Sequence, residues 1–125
     1  MRIGIAAIVC LGIWAQAAVA DVKRHKSFPE PLQGKWAPTA DACSGPEASL
    51  ILLSADKVGN CLVDSVAETP SDRGPKYSAL LRCPKEGDSK AMTEAELIVW
   101  PKGKDQFSAG PSFNQLKDYQ RCPAN

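Results

Sequence analysis

Cys61-Leu-Val-Asp-Ser-Val-Ala67 and Lys76-Tyr-Ser-Ala-Leu-Leu-Arg-Cys83 stand on either side of Thr69-Pro-Ser-Asp-Arg-Gly-Pro75. Both flanks are short runs rich in aliphatic and β-branched side chains, and the segment between them carries the Pro, Ser, Asp and Gly of a turn. Folded as a hairpin about that turn, the chain sets Cys61 opposite Cys83, Val63 opposite Leu81 and Ser65 opposite Ala79. Side chains alternate with period two along a strand, so this set shares one face. Four cysteines, Cys43, Cys61, Cys83 and Cys122, allow three connectivities. The hairpin register favours Cys61 with Cys83, which leaves Cys43 with Cys122 to tie the start of the domain to its end.

The same pattern extends outward in both directions. Gln33 to Ala37 reads as a first strand, and Ser49 to Ser54 as a short apolar run bounded by turn formers, with a turn at Ala55 to Asn60. Met92 to Trp100 alternates, with Ala95, Leu97 and Val99 on one face and Glu94, Glu96, Ile98 and Trp100 on the other, as a half-buried strand does. Turns at Pro101 to Asp105 and Ala109 to Pro111 then separate Gln106 to Ser108 from a last strand, Phe113 to Arg121. The expected fold is mainly β: an antiparallel meander of about seven strands, curled into a small barrel or sandwich and stapled by two disulfides. Leu50, Leu52, Leu81, Leu97 and Trp36 are large enough to fill its interior.

The chain begins with a positive charge at Arg2, an apolar run from Ile3 to Trp14 and the small residues Ala18-Val-Ala20, the pattern of a signal peptide cleaved before Asp21. That run is too short to span a bilayer, which takes roughly 18 or more apolar residues, so no stable membrane anchor is expected after cleavage. Cys10 reads as an apolar member of this leader. Removing 20 of the 125 residues leaves 105, the size of one domain, and leaves 14 basic against 14 acidic side chains. With no net charge, the mature chain has no overall field to attract nucleic acid. An even number of cysteines in a small exported domain implies disulfides and a periplasmic or secreted location.

Residues 21–32 carry no fold signal. Lys23-Arg-His-Lys26 and Phe28-Pro-Glu-Pro31 read as a flexible, partly extended arm ahead of a single domain at 33–125. Lys23, Arg24, His25, Lys26 and Phe28 are therefore the candidate partner-binding residues.

Catalytic patterns are missing. The one histidine, His25, lies in the arm without a fixed neighbour to make it a base. Glu94 and Glu96 share a polar strand face that solvation explains. The cysteines are too widely spaced for a zinc site or a redox motif, and the glycines fall singly in turns rather than in a phosphate-binding loop. No enzyme activity, metal or cofactor is expected.

Gly34-Lys-Trp36 on the first strand, a cysteine-bearing loop, short strands and the terminal Tyr119-Gln-Arg-Cys122 resemble small exported four-cysteine proteobacterial proteins of unassigned function, over Gly34 to Cys122. More distantly, Gly-x-Trp and the mature length resemble the bacterial metalloprotease inhibitor family, a small lipocalin-like β-barrel. That resemblance implies an N-terminal segment, here Asp21 to Leu32, that enters a protease active site. The family is built around one disulfide, whereas this sequence offers two. The expected function is a non-enzymatic binding or interaction protein of the bacterial cell envelope, its partner another envelope or secreted protein. The alternatives are a barrel-type protease inhibitor and a binder of small apolar ligands.

Overall fold

The computed structural model describes residues 22–85 and 87–123, so the leader and its cleavage point lie outside the described residues. The hairpin forms: β5 (Cys61–Thr69) and β6 (Lys76–Lys85) pair antiparallel, with Val63 opposite Leu81. Beyond that pair the register shifts, so that Ser65 faces Leu80 and Val66 faces Ala79. This corrects the expected pairing of Ser65 with Ala79. Asp64 is the extra residue of a β-bulge, which sets two residues of one strand against one of its partner. The bulge turns Val66 rather than Ser65 into the core, where it is fully buried, and Asp64 reaches the Arg82 Nε at 2.9 Å outside. Burying a valine in place of a hydroxyl that has no partner favours the shifted register.

The other strands are β1 (Lys23–His25), β2 (Gly34–Ala37), β3 (Ile51–Leu53), β4 (Lys57–Val58), β7 (Asp88–Pro101), β8 (Gln106–Gly110) and β9 (Lys117–Arg121). From β2 to β9 each strand pairs antiparallel with the next, and β9 returns to β2 through Trp36 opposite Arg121 and Ala37 opposite Gln120. The result is a closed eight-stranded up-and-down barrel, an arrangement that leaves its member strands no open sheet edge at the seam. The count is eight rather than seven because the expected turn at Ala55 to Asn60 contains β4, which sets Val58 against both Leu53 and Cys61. Disulfides join Cys61 to Cys83 and Cys43 to Cys122.

The arm expected at 21–32 is not free where it is described. β1 lies along β5, with Lys23 opposite Glu68 and His25 opposite Val66. Phe28 and Leu32, at 1% and 6% exposure, sit in the core. The Phe28 amide donates to the Ala55 carbonyl at 3.0 Å, and Gln33 Nε2 donates to the Phe28 carbonyl at 3.0 Å. Two apolar side chains among prolines suffice for this, since burying a Phe or Leu contributes about 1.5–3 kcal/mol each and Pro29 and Pro31 have no N–H to satisfy. The core is completed by Trp36, stacked on Phe107 with ring centres 4.0 Å apart, together with Val66, Leu81 and Val99. Along β3, Leu53 is buried while Leu50 and Leu52, expected inside, are only half-buried. Eight strands enclose just enough room for such side chains to fill.

Candidate functional site

Pairing of Tyr77 with Val99 sends both of these buried side chains inward. Their neighbours Lys76 and Trp100 consequently face out. Trp100 stands opposite Ser108, and Ser108 opposite Asp118, so Lys76, Trp100, Ser108 and Asp118 form a row across the outside of β6, β7, β8 and β9. The link between β8 and β9 folds back against Gly110: a Cβ there would stand 2.0 Å from the Gln115 carbonyl oxygen, a contact only glycine avoids. This return carries Phe113 and Leu116 up to the row.

Lys76 Nζ lies 4.2 Å from the Trp100 ring centre and 5.3 Å from that of Phe113. The Arg73 guanidinium, from the turn after β5, lies 5.5 Å from the same Trp100 ring. Both are cation–π distances. A recess of about 610 Å³ opens between Arg73, Trp100, Lys102, Ser108 and Leu116, and a second of about 420 Å³ between Ser71, Asp72, Arg73, Lys76 and Trp100. Arg73 and Trp100 are the walls they share.

The charges here are unevenly matched. Lys102 Nζ donates to Asp118 Oδ1 at 2.8 Å and Ser108 Oγ donates to the same oxygen at 2.6 Å. The hydrogen bond from Lys102, and after it that from Ser108, holds the Asp118 carboxyl below its ordinary value of 3.8. Asp118 is thereby committed. Among the described residues, Arg73 and Lys76 make no ion pair with any carboxylate, Asp72 included. The buried Trp100 Nε1 has no hydrogen-bond partner among them either, an uncommon condition for a buried donor.

No family model, curated protein or solved structure matches the chain.

The candidate residues of the arm are not gathered into this site. Lys23, Arg24 and Lys26 are exposed, while Phe28 belongs to the core. His25, expected without a fixed neighbour, has one: its Nε2 lies 3.2 Å from Glu68 Oε1. Burial, and then the charge and hydrogen bond of Glu68, raise the Tyr77 phenol above its ordinary 10.0. Glu94 and Glu96 are exposed on the outer face, where Glu96 Oε1 accepts from Ser78 Oγ at 2.7 Å. Among the described residues no group of three potential ligands is placed to hold a metal ion, and no helix is long and apolar enough to cross a membrane. Sequence reasoning set Trp100 on the polar face of its strand but missed Arg73, Lys76 and Phe113 as its neighbours. The strand alternation held the signal for Lys76; nothing in it pointed to the fold-back that brings Phe113.

Proposed function

We propose that this protein is an exported, non-enzymatic binding protein of the bacterial cell envelope that engages another envelope or secreted protein through the Trp100 recess. One observation carries the reading: Arg73 and Lys76 rest on one indole with no carboxylate of the described residues at ion-pair distance, beside a Phe113 that is 57% exposed. Aromatic and Arg side chains are the residue types enriched where proteins meet, and Phe113 adds an aromatic ring beside Lys76. Two disulfides suit an oxidising, non-cytoplasmic compartment.

The alternatives draw less support. An inhibitory arm needs a free N-terminal segment, whereas Lys23 to His25 are paired with β5 and Phe28 is in the core. For a binder of small apolar ligands the interior is closed, since Trp36, Phe107, Val66 and Val99 occupy it, which leaves that reading an open recess of about 460 Å³ among Pro29, Pro31, Leu32, Pro75 and Tyr77. Quantitative cross-linking in the native compartment tests the reading. The oxidised wild type is expected to retain an envelope or secreted protein that Trp100→Ala, folded by its circular dichroism, releases. Equal retention by both would overturn the assignment of this surface.

A further inference from the structure

We infer that the Trp100 recess is a receptor for an acidic peptide segment of the partner, with Arg73 and Lys76 taking its carboxylates and Phe113 and Leu116 packing against an apolar side chain between them. This inference rests on the Trp100 recess being the binding surface.

Charge is the first argument. The mature chain has as many acidic as basic side chains, so the excess of cation around Trp100 is local rather than a property of the whole molecule. An indole face attracts a cation without neutralising it. Of the two carboxylates at the recesses, Asp118 already accepts from Lys102 and Ser108, and Asp72, which lines the smaller one, pairs with neither Arg73 nor Lys76, so three cations face two carboxylates. An incoming carboxylate supplies what the two remaining cations lack: Arg73 offers a planar fork suited to bidentate contact and Lys76 a point charge.

Size and lining argue for a peptide over a small free anion. The recesses of about 610 and 420 Å³ both lie against Arg73 and Trp100, and each is far larger than one carboxylate. Pro101 and Leu116 line the larger recess, and Phe113 stands exposed beside Lys76 of the smaller one. A segment that alternates acidic and aliphatic side chains satisfies both halves of this chemistry. Nucleic acid needs a longer basic track, since its affinity grows with each phosphate neutralised.

The two tryptophans of the described chain provide the readout. Trp36 Nε1 donates to the Leu32 carbonyl at 3.0 Å inside the barrel, whereas Trp100 Nε1 has no partner among the described residues, so their indole N–H resonances report the core and the recess separately. The oxidised mature protein, labelled with nitrogen-15, is titrated with a short peptide of alternating Glu and Leu and with its Gln-Leu counterpart. The Glu-Leu peptide is expected to move the Trp100 indole and leave that of Trp36 in place. Arg73→Gln and Lys76→Met should each weaken binding by roughly tenfold, as loss of a charge-assisted contact does. Met keeps most of the aliphatic stem over the ring, and an otherwise unchanged spectrum certifies the fold.

An unmoved Trp100 indole, an equal response to the Gln-Leu peptide, or affinity indifferent to both substitutions would overturn the inference. A tighter response to a sulfated oligosaccharide or to vesicles containing anionic phospholipid would overturn the peptide assignment in favour of sulfate or phosphate. Cross-linking separates the two levels. A partner released by Trp100→Ala but fully retained by Arg73→Gln and Lys76→Met would sink the acidic ligand and leave the binding surface standing. A partner retained by all three variants would sink both.

Discussion

Arg121 shows how much one side chain can hold. Its Nη1 donates to the Gln33 carbonyl at 2.8 Å, its Nη2 to that of Pro31, and its Nε to Asp105 Oδ1 at 3.2 Å, while its Cζ lies 4.3 Å from the centre of the Trp36 ring. Gly34 belongs to the same device: it has φ +139°, and a Cβ there would stand 2.9 Å from Arg121 Nη1. Gly-x-Trp is therefore a close approach followed by a floor, and the arginine near the far end of the chain is what it receives. Tyr77 makes a measurable case at the same scale. Burial and Glu68 raise its pKa above 10.0, so the fold favours the neutral phenol over the phenolate. The sign follows from linkage: the stabilisation is complete below the ordinary tyrosine value and is lost as pH rises through the higher folded value. Urea midpoints of the wild type should therefore fall more steeply above about pH 10 than those of Tyr77→Phe. Parallel curves would assign the alkaline loss to other groups.

At the scale of elements, strands that alternate over several residues are legible in sequence, and those held by tertiary contacts are not. β5, β6 and β7 were readable because each runs long enough for period two to emerge. β4 was not, because Lys57–Val58 is too short to have a period. β1 reads as solvated charge, and only the adjacent edge of β5 and the anchoring of Phe28 make Lys23–His25 a strand. The expected strand Phe113 to Arg121 begins only at Lys117, since the chain first folds back over Gly110. The recess shares this limit. The outward side of Trp100 was plain from alternation, but its union with Arg73, Lys76 and Phe113 needs the β6–β7 register and that fold-back together. Gly110→Ala tests the second requirement, because the new methyl would meet the Gln115 carbonyl oxygen at 2.0 Å and backbone must move. The expected outcome is a loss of about 1–3 kcal/mol, typical of overpacking, with displacement of the Trp100 indole resonance and not that of Trp36. A melting temperature and spectrum equal to wild type would mean that the return is not clamped at this point.

The whole molecule is closed at one seam, and that seam is short. β2 and β9 share only the pairs Trp36 with Arg121 and Ala37 with Gln120, as few as β4 shares with β5 and one more than β3 with β4, while β5 and β6 share seven. The disulfides sit unequally on this difference. Cys43–Cys122 spans 79 positions and joins the segment after β2 to the residue after β9, whereas Cys61–Cys83 spans 22 and reinforces a ladder that is already long. In the chain-entropy model the longer loop contributes about 4.5 kcal/mol and the shorter about 3.4. By that account alone the two losses differ by only about 1 kcal/mol, and the decisive contrast is where the loss falls. With Cys43→Ala and Cys122→Ala together, the seam retains two strand pairs, the bond from the amide at position 122 to the Lys35 carbonyl and the Arg121 contacts, so it should open ahead of global unfolding. Native-state hydrogen exchange is expected to show the amide at position 122, which donates to the Lys35 carbonyl at 2.8 Å, and those of the Ala37–Gln120 pair losing protection first. Cys61→Ala with Cys83→Ala leaves the β5–β6 ladder in place, so protection should fall evenly across the barrel as the global stability falls. Uniform loss in both double variants would mean that Arg121 and the packed core hold the seam unaided, and that the long disulfide acts only on the unfolded chain.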